Sequence, residues 1–434
     1  MSHIIKSYLQ FTVILAVAAT WSGCGDQRAH YLAEGEQNLR AGNYELAKKD
    51  YMNVLEIDTY NPTACARLGQ IWLDQGSPWR AGTFLKKAVE LSPDDSDSRL
   101  RLAHVYQSLG FPSKAREEIV QVLKESPANG EALVTLSEIA HTPEELSEAK
   151  EAIERFPNRA SASYHLALAN LYSRRKEFAA ASEEVKQAIT LSPVSPEAHQ
   201  ARGLLELLQK NKSGADEAFR LAAELAPVRS LIRINYAQYL NQSAGSDAAV
   251  SYLNQLTAKA PDFLPAWISL ARLAVAKQKY DDAIQYLQHV FSYDPNNIEA
   301  HLVESDVWLA QKEPARVITE LLRLDKTHPG LPELKYRLGL AYFQQNNTAD
   351  AAAAFDQALA RNPTFTEAIL ARARLNIQTG HASDVVAPLE ELLADHPKLK
   401  SARDLLIEAY RAAGRPDEAA KLSSTDAIVS PGKP

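Results

Sequence analysis

Two cysteines, eleven histidines and scattered acidic clusters are the side chains here that could do covalent, metal or acid–base chemistry. Cys24 and Cys65 are too few for a disulfide framework or for a zinc cage built on several thiolates. Cys65 lies in the helical stretch "NPTACARLG", where a small buried apolar residue is the ordinary reading. His165, His199 and His301 fall at equivalent places of a repeating pattern and are expected to pack, partly buried, without holding a metal. The acids of "SPDDSD" and "YDD" stand at helix starts, where carboxylates cap backbone N–H groups and complement the helix dipole. No phosphate-cradling glycine loop, HExxH, GxSxG or paired CxxC motif occurs. The expectation is a protein without catalytic residues, metal site or small-molecule cofactor.

What positions these residues is an array of helices. Hydrophobic residues make up 46% of the 434 and charged residues 23%, ordinary values for a folded chain. The formal net charge of −7, with no long block of either sign, offers no basic stripe for neutralising phosphates, so nucleic acid is excluded as an expected partner. Prolines recur at 193, 227, 261, 295, 329, 363 and 397, each pair 34 apart, and Pro93 to Pro127 is also 34. Pro127 to Pro157 is 30 and Pro157 to Pro193 is 36, so the fourth unit is irregular and a local bend is expected there. In that unit Thr142 reads as an N-cap, Pro143 as the first helical residue and Glu145 as the closing member of a capping box.

Within each period the spacing has a mechanism. From Pro196 to Pro227, Gly203 permits close approach of two helices and Ala215 does the same on the second. Phe219 and Ala222 face the core at helical steps, and Pro227 ends the helix. The same places recur as Gly69, Trp72, Ala81, Leu85, Ala88 and Pro93, as Gly339, Tyr342, Ala351, Phe355, Ala358 and Pro363, and less completely as Trp267, Leu270, Ala271, Ala283, Leu287 and Pro295. This pattern resembles the tetratricopeptide repeat, a 34-residue helix–turn–helix unit. The resemblance covers Arg28 to Pro397 as about eleven units, followed by a partial twelfth in "KSARDLLIEAYRAAGRPDEAAKL". It implies an all-α, right-handed solenoid of antiparallel helical hairpins over residues 31–422, with a flexible tail at 423–434.

In such arrays the first helix of each hairpin lines a ligand-binding groove. Carried over place by place, the resemblance implies a polar early face with Arg67, Gln70, Asp74, Arg101, His104, Glu138, Asn170 and Arg174. From the sixth unit onward it implies an apolar one, with Leu204, Leu207, Leu208, Leu231, Ile234, Ile268, Val275, Leu302, Leu309, Leu340, Phe343, Leu370 and Ile377. Asn235, Arg272, Arg337 and Arg374 interrupt it, and Tyr336 lies nearby. Apolar residues with a few arginines suit a protein segment. The alternative is that several of the leucines only pack between neighbouring helices. Asn170 matches one place of the carboxylate clamp that some tetratricopeptide groups use, but the lysine and second asparagine places are not matched, so no clamp is expected.

At the N-terminus, Lys6 precedes an apolar run from Tyr8 to Thr20, the length of an export-signal core and short of the ~20 residues of a membrane span. The run ends in Trp21-Ser22-Gly23-Cys24, which resembles a bacterial lipoprotein signal, with residues 1–23 removed, Cys24 lipidated and 24–30 a tether. Trp21 stands where that pattern usually carries Leu, which keeps ordinary cleavage or an uncleaved anchor as alternatives. Gly25, in place of the Asp that retains enteric lipoproteins at the inner membrane, leans to the outer membrane, facing the periplasm. Together these imply a lipid-tethered scaffold binding protein partners of the cell envelope. The type resembled is the repeat lipoprotein of exosortase or polysaccharide-export systems. The alternative is an element that binds carbohydrate polymer or regulates an enzyme in exopolysaccharide secretion.

Overall fold

The computed structural model describes residues 27–429, and Cys24 with its apolar leader lies outside the described residues. Among the described residues every regular element is a helix. The chain packs as two compact units that divide between Ser269 and Leu270.

The first unit opens with α1 (27–40), α2 (Tyr44–Ile57), α3 (Pro62–Asp74) and α4 (Pro78–Leu91). It continues through α5 (Ser96–Ser108), α6 (Pro112–Glu125), α7 (Gly130–Ile139) and α8 (Pro143–Arg155). Then come α9 (Ala162–Arg174), α10 (Phe178–Leu191), α11 (Pro196–Leu208), α12 (Lys212–Leu225), α13 (Leu231–Ser243) and α14 (Ser246–Lys259). The helix α15 (Leu264–Ala276) contains the division. The second unit holds α16 (Tyr280–Tyr293), α17 (Ile298–Ala310), α18 (Pro314–Thr327), α19 (Pro332–Gln344) and α20 (Thr348–Arg361). It ends with α21 (Thr366–Gln378), a 3-10 turn at Ala382–Val385, α22 (Val386–Asp395), α23 (Lys400–Ala412) and α24 (Pro416–Val429).

The all-α repeat architecture is as expected, with two differences at its ends. Helix α1 is already formed by residue 27, inside the span expected as tether, and α24 runs past the expected repeat boundary at 422. The last hairpin, α23 with α24, is therefore complete where a partial unit was anticipated.

Local chemistry explains where the first helices begin and stop. Asn61, Asn129, Ser195 and Asn297 accept a hydrogen bond from the backbone N–H three residues on, and Pro62 and Pro196 occupy first-turn positions that need no donor. The stop is a left-handed residue followed by an amide that returns to the helix: with Gly76 at φ +83°, Ser77 N–H donates to the Trp72 carbonyl at 2.8 Å. Asn211 N–H to Glu206 and Asn347 N–H to Tyr342 repeat the bond behind Lys210 and Asn346.

A second device recurs at the proline. The side chain six residues after it, on the next helix, donates to the proline carbonyl: Arg99 to Pro93 at 3.0 Å, His199 to Pro193 at 2.9 Å, Trp267 to Pro261 at 2.8 Å and His301 to Pro295 at 3.0 Å. Arg233 and Arg403 do the same to Pro227 and Pro397. His199 and His301 are thus buried packing residues as expected, and each in addition ties one hairpin's end to the next hairpin's start. His165 departs, pairing with Glu184 at 2.6 Å.

Inside each hairpin, a small residue on the first helix meets a bulky one on the second. A Cβ built on Gly203 would lie 3.0 Å from the Phe219 ring, one on Gly69 2.4 Å from Leu85, and one on Gly339 2.4 Å from Phe355. Ala215, Ala81 and Ala351 are fully buried on the opposite helices. Cys65 is fully buried too, and burial pushes its thiol pKa up, away from the reactive thiolate.

The fourth hairpin breaks these rules as the proline spacing anticipates. Helix α7 ends at Ile139 with Ala140 extended and no left-handed turn, and Thr142 then starts α8 with the expected capping box. Freed of the tight turn, α7 packs more extensively on α9 than on its own partner α8.

The first unit also closes on itself far along the chain. The fully buried Gln75 donates to Asp262 at 3.0 Å and to Glu45 at 2.9 Å, accepts from Lys48 at 3.0 Å, and its backbone carbonyl accepts from Leu264 N–H at 3.1 Å. Arg229 grips Asp262 at 2.7 Å and lies 4.2 Å above the Tyr44 ring, whose hydroxyl donates to Asp74 at 3.0 Å. Burial lowers the Lys48 pKa and raises that of Asp74, so the clasp holds charges partly withdrawn from water.

Gly339→Ala is expected to lower the urea midpoint despite the ~1 kcal/mol that alanine contributes in a helix, because the fully buried Phe355 cannot yield. Gly203→Leu should cost more than about 2 kcal/mol, and an unchanged midpoint in both variants would show the hairpin packing to be wrong. For the clasp, a Cβ on Gly76 would sit 2.3 Å from the Pro265 ring. Gly76→Ala should therefore speed amide exchange at residues 262–264 while leaving α17 to α20 unchanged, and equal protection in both proteins would contradict the contact.

Candidate interaction surface

The first helices of successive hairpins lie side by side, and their polar residues bond across the repeat in the manner of rungs. Arg67 reaches back to Glu36 at 2.6 Å and holds Gln70 at 3.1 Å. His104 faces Thr135 at 3.4 Å and Glu131 at 3.8 Å, Asn170 donates to Ser137 at 3.0 Å, and Asn235 donates to Gln200 at 3.1 Å. Arg174 donates to the Glu138 carbonyl at 2.8 Å, and Arg101 pairs loosely with Asp97 at 3.5 Å on its own helix.

The second unit has its own rungs. Arg272 meets Glu299 at 2.9 Å, and Arg337 forms a two-point bond with Asp306 at 2.8 and 2.9 Å. Partly exposed pairs of this kind contribute about 0–1 kcal/mol each, so the rungs fix alignment more than they stabilise. Arg374 stays exposed.

The apolar residues projected onto this face divide by burial. Leu204, Leu207, Leu208 and Leu231 are 51%, 40%, 57% and 55% exposed. Ile234 and Ile268 are buried, as are Leu302 and Leu309, and so present no surface to a ligand. Leu340 and Phe343 pack with Tyr336 against the Phe355 cluster, and Leu370 and Ile377 pack against Leu389 and its neighbours. Tyr336 sits 5.3 Å from the Phe365 ring and 6.2 Å from Phe355. The long distal apolar face expected from the sequence is therefore shortened to the exposed leucines of α11 and the start of α13, Val275 being half-buried and the other apolar residues packed between helices.

The sequence pattern projects Glu138 onto the early face without a particular role, and in the structure it is the most perturbed carboxyl there. It is exposed by area, yet the walls around it displace water. Desolvation first, and then the like charge of Glu197, raise its pKa to about 7, against the opposing pull of Arg174. The period of the prolines gives its place on the helix; what the period leaves out is the shortened α7, which sets the carboxyl against α9 and α11.

Among the described residues no group of three or more histidine, cysteine, aspartate or glutamate side chains could hold a metal ion. The depression lined by Thr366, Glu367, Asp395, His396 and Lys398 is open to solvent.

A carboxyl with a raised pKa penalises the fold where it is charged: the penalty is absent below the ordinary value of 4.5 and complete above about 7. Glu138→Gln is accordingly expected to raise the urea midpoint at pH 8 and leave it nearly unchanged at pH 4. Equal shifts at both pH values would remove the electrostatic explanation.

Comparison with known families matches tetratricopeptide repeat models to residues 166–229 and 237–290, 274–341, and 332–365. A bacterial transcriptional activator domain model matches residues 356–422. The chain is 23% identical over 314 residues to the protein CTR9 homolog of Arabidopsis thaliana, covering 64% of this chain and 28% of that one. It is 24% identical over 263 residues to the TPR repeat-containing protein YvcD of Bacillus subtilis, covering 60% and 46%. The chain thus spans less than half the length of these relatives. The crystal structure of yeast Tom70 aligns over 93% of this chain and 92% of its own, at 18% identity and a TM-score of 0.49.

Proposed function

We propose that this chain, a tetratricopeptide-repeat protein, is a membrane-tethered scaffold that holds protein partners of a bacterial cell envelope. Proteins of this repeat class generally mediate protein–protein interaction, and the class is a typical non-catalytic scaffold. The observation that carries the reading is the four exposed leucines of α11 and α13 on a face whose other apolar side chains are packed away, because an apolar patch left on a rigid element is the ordinary mark of an interaction site.

The tether is supported by sequence: an apolar run after Lys6, ending in Ser22-Gly23-Cys24. Among the described residues no helix is long and apolar enough to cross a membrane, so a thioether-linked diacylglycerol on Cys24 would supply attachment after cleavage. Gly25 supports an outer-membrane, periplasm-facing location, and the whole supports a role in envelope assembly or export of the exosortase or polysaccharide-secretion type. A carbohydrate-polymer ligand is the weaker reading, since sugars stack on open aromatic faces and Tyr336 is engaged with Phe355 and Phe365.

Cys24→Ala is expected to move the protein from the membrane to the soluble fraction and to abolish incorporation of labelled palmitate. A substituted protein that still pellets with the envelope, together with an unlabelled wild type, would overturn the tether.

A further inference from the structure

The rungs of the first-helix face have a fixed geometry. The ninth place of one first helix faces the second and sixth places of the next: His104 faces Glu131 and Thr135, Arg272 faces Glu299, and Asp306 faces Arg337. In each case polar groups satisfy one another. At α11 and α13 the same two places hold Leu204 and Leu231, and both are more than half exposed. Leu207 and Leu208 continue the patch along α11. The rung is open because its side chains have no polar partner to find, and water covers apolar area that the other rungs do not present.

Beside the patch lies unbalanced negative charge. Glu197 is two helical turns before Leu204 on α11, so both project from one face about 10 Å apart along the axis. Its charge reaches Glu138, and the two carboxyls repel. Arg174 donates to the Glu138 backbone carbonyl at 2.8 Å and its charge offsets one of the two carboxylates, while Glu197 accepts from the Ser195 hydroxyl at 2.9 Å, so one net negative charge remains. The Asn235–Gln200 amide pair borders the leucines and leaves that side neutral.

We propose that this open rung is a docking site for a protein segment that presents leucine-like side chains to Leu204, Leu208 and Leu231 and a lysine or arginine to Glu138 and Glu197. The inference rests on the reading of the chain as a protein-binding scaffold and names the chemistry of the partner. The ~10 Å offset sets the partner's spacing: about three residues between apolar anchor and cation in an extended segment, or two turns in a helix. The cation relieves the repulsion between the two carboxyls, and the leucines remove apolar area from water, so the two halves of the segment answer the net charge and the apolar area that the free protein leaves uncompensated.

The test uses the whole chain, purified from membranes or cytosol alike in detergent, and a fluorescent peptide with two leucines and a lysine three residues on, followed by anisotropy. Binding is expected to weaken at least tenfold when Leu204 and Leu208 are both changed to Ser, when Glu138 and Glu197 are both changed to Gln, and when the peptide lysine is replaced by glutamate. Helical circular dichroism equal to wild type would show that the exposed-site variants fold. Indifference to the peptide's charge reversal, or to the leucine substitutions, would overturn the site. Leucine-dependent binding to phosphatidylglycerol vesicles in place of the peptide would assign the patch to a lipid surface, and a dimer abolished by Leu208→Ser would assign it to a second copy; either result overturns the proposal. Cross-linking on membranes separates the two levels: envelope proteins captured equally by wild type and the leucine variant would leave the scaffold standing and remove this site, whereas no captured protein would remove the scaffold itself.

Discussion

The approach of two helices at a residue without bulk is the constraint on which the rest of this structure depends. Gly203 against Phe219, Gly69 against Leu85 and Gly339 against Phe355 set how closely the two helices of a hairpin lie, and the fully buried alanines opposite allow no slack. That separation decides where the next proline carbonyl falls, and hence whether Arg99, His199, Trp267 or His301 can reach it from the following helix. Packing within a hairpin and hydrogen bonding between hairpins are therefore one geometry, propagated from repeat to repeat.

The fourth hairpin shows what happens when a link is removed. Without a left-handed turn after α7, the capping box of Thr142 and Glu145 starts α8 independently, and α7 turns its packing toward α9. The helix is shorter, yet it keeps its place in the face, with Ser137 bonded to Asn170. The cost falls on Glu138, whose carboxyl is held where water is scarce and a like charge is near. An irregular joint thus produces the most perturbed acid of the early face.

The face itself joins two kinds of surface. Where its polar places are filled, they pair across repeats and offer a partner little that is unsatisfied. On α11 and α13, where Leu204 and Leu231 fill them, the same places remain open. A repeat protein can in this way vary its contacts by exchanging single residues at fixed places while the scaffold beneath is unchanged, since each place is defined by the backbone and not by its occupant.

Much of this is legible in the chain alone. Seven prolines 34 apart, the small–bulky spacing within each period and the displaced Pro157 identify the hairpins, their order and the irregular joint, because those features arise from contacts between residues close in sequence. His199 and His301 are readable as buried packing residues for the same reason, though not as donors to the proline carbonyl. Only the tertiary structure decided which apolar residues are used up: Leu207 and Leu309 stand at the same place of the period, yet Leu207 is 40% and Leu309 8% exposed, and what separates them is how neighbouring helices overlap. It alone decided the clasp as well. Gln75 and Asp262 are 187 residues apart, and whether they meet depends on small rotations accumulated over many hairpins, a quantity to which each repeat contributes and which none of them encodes by itself.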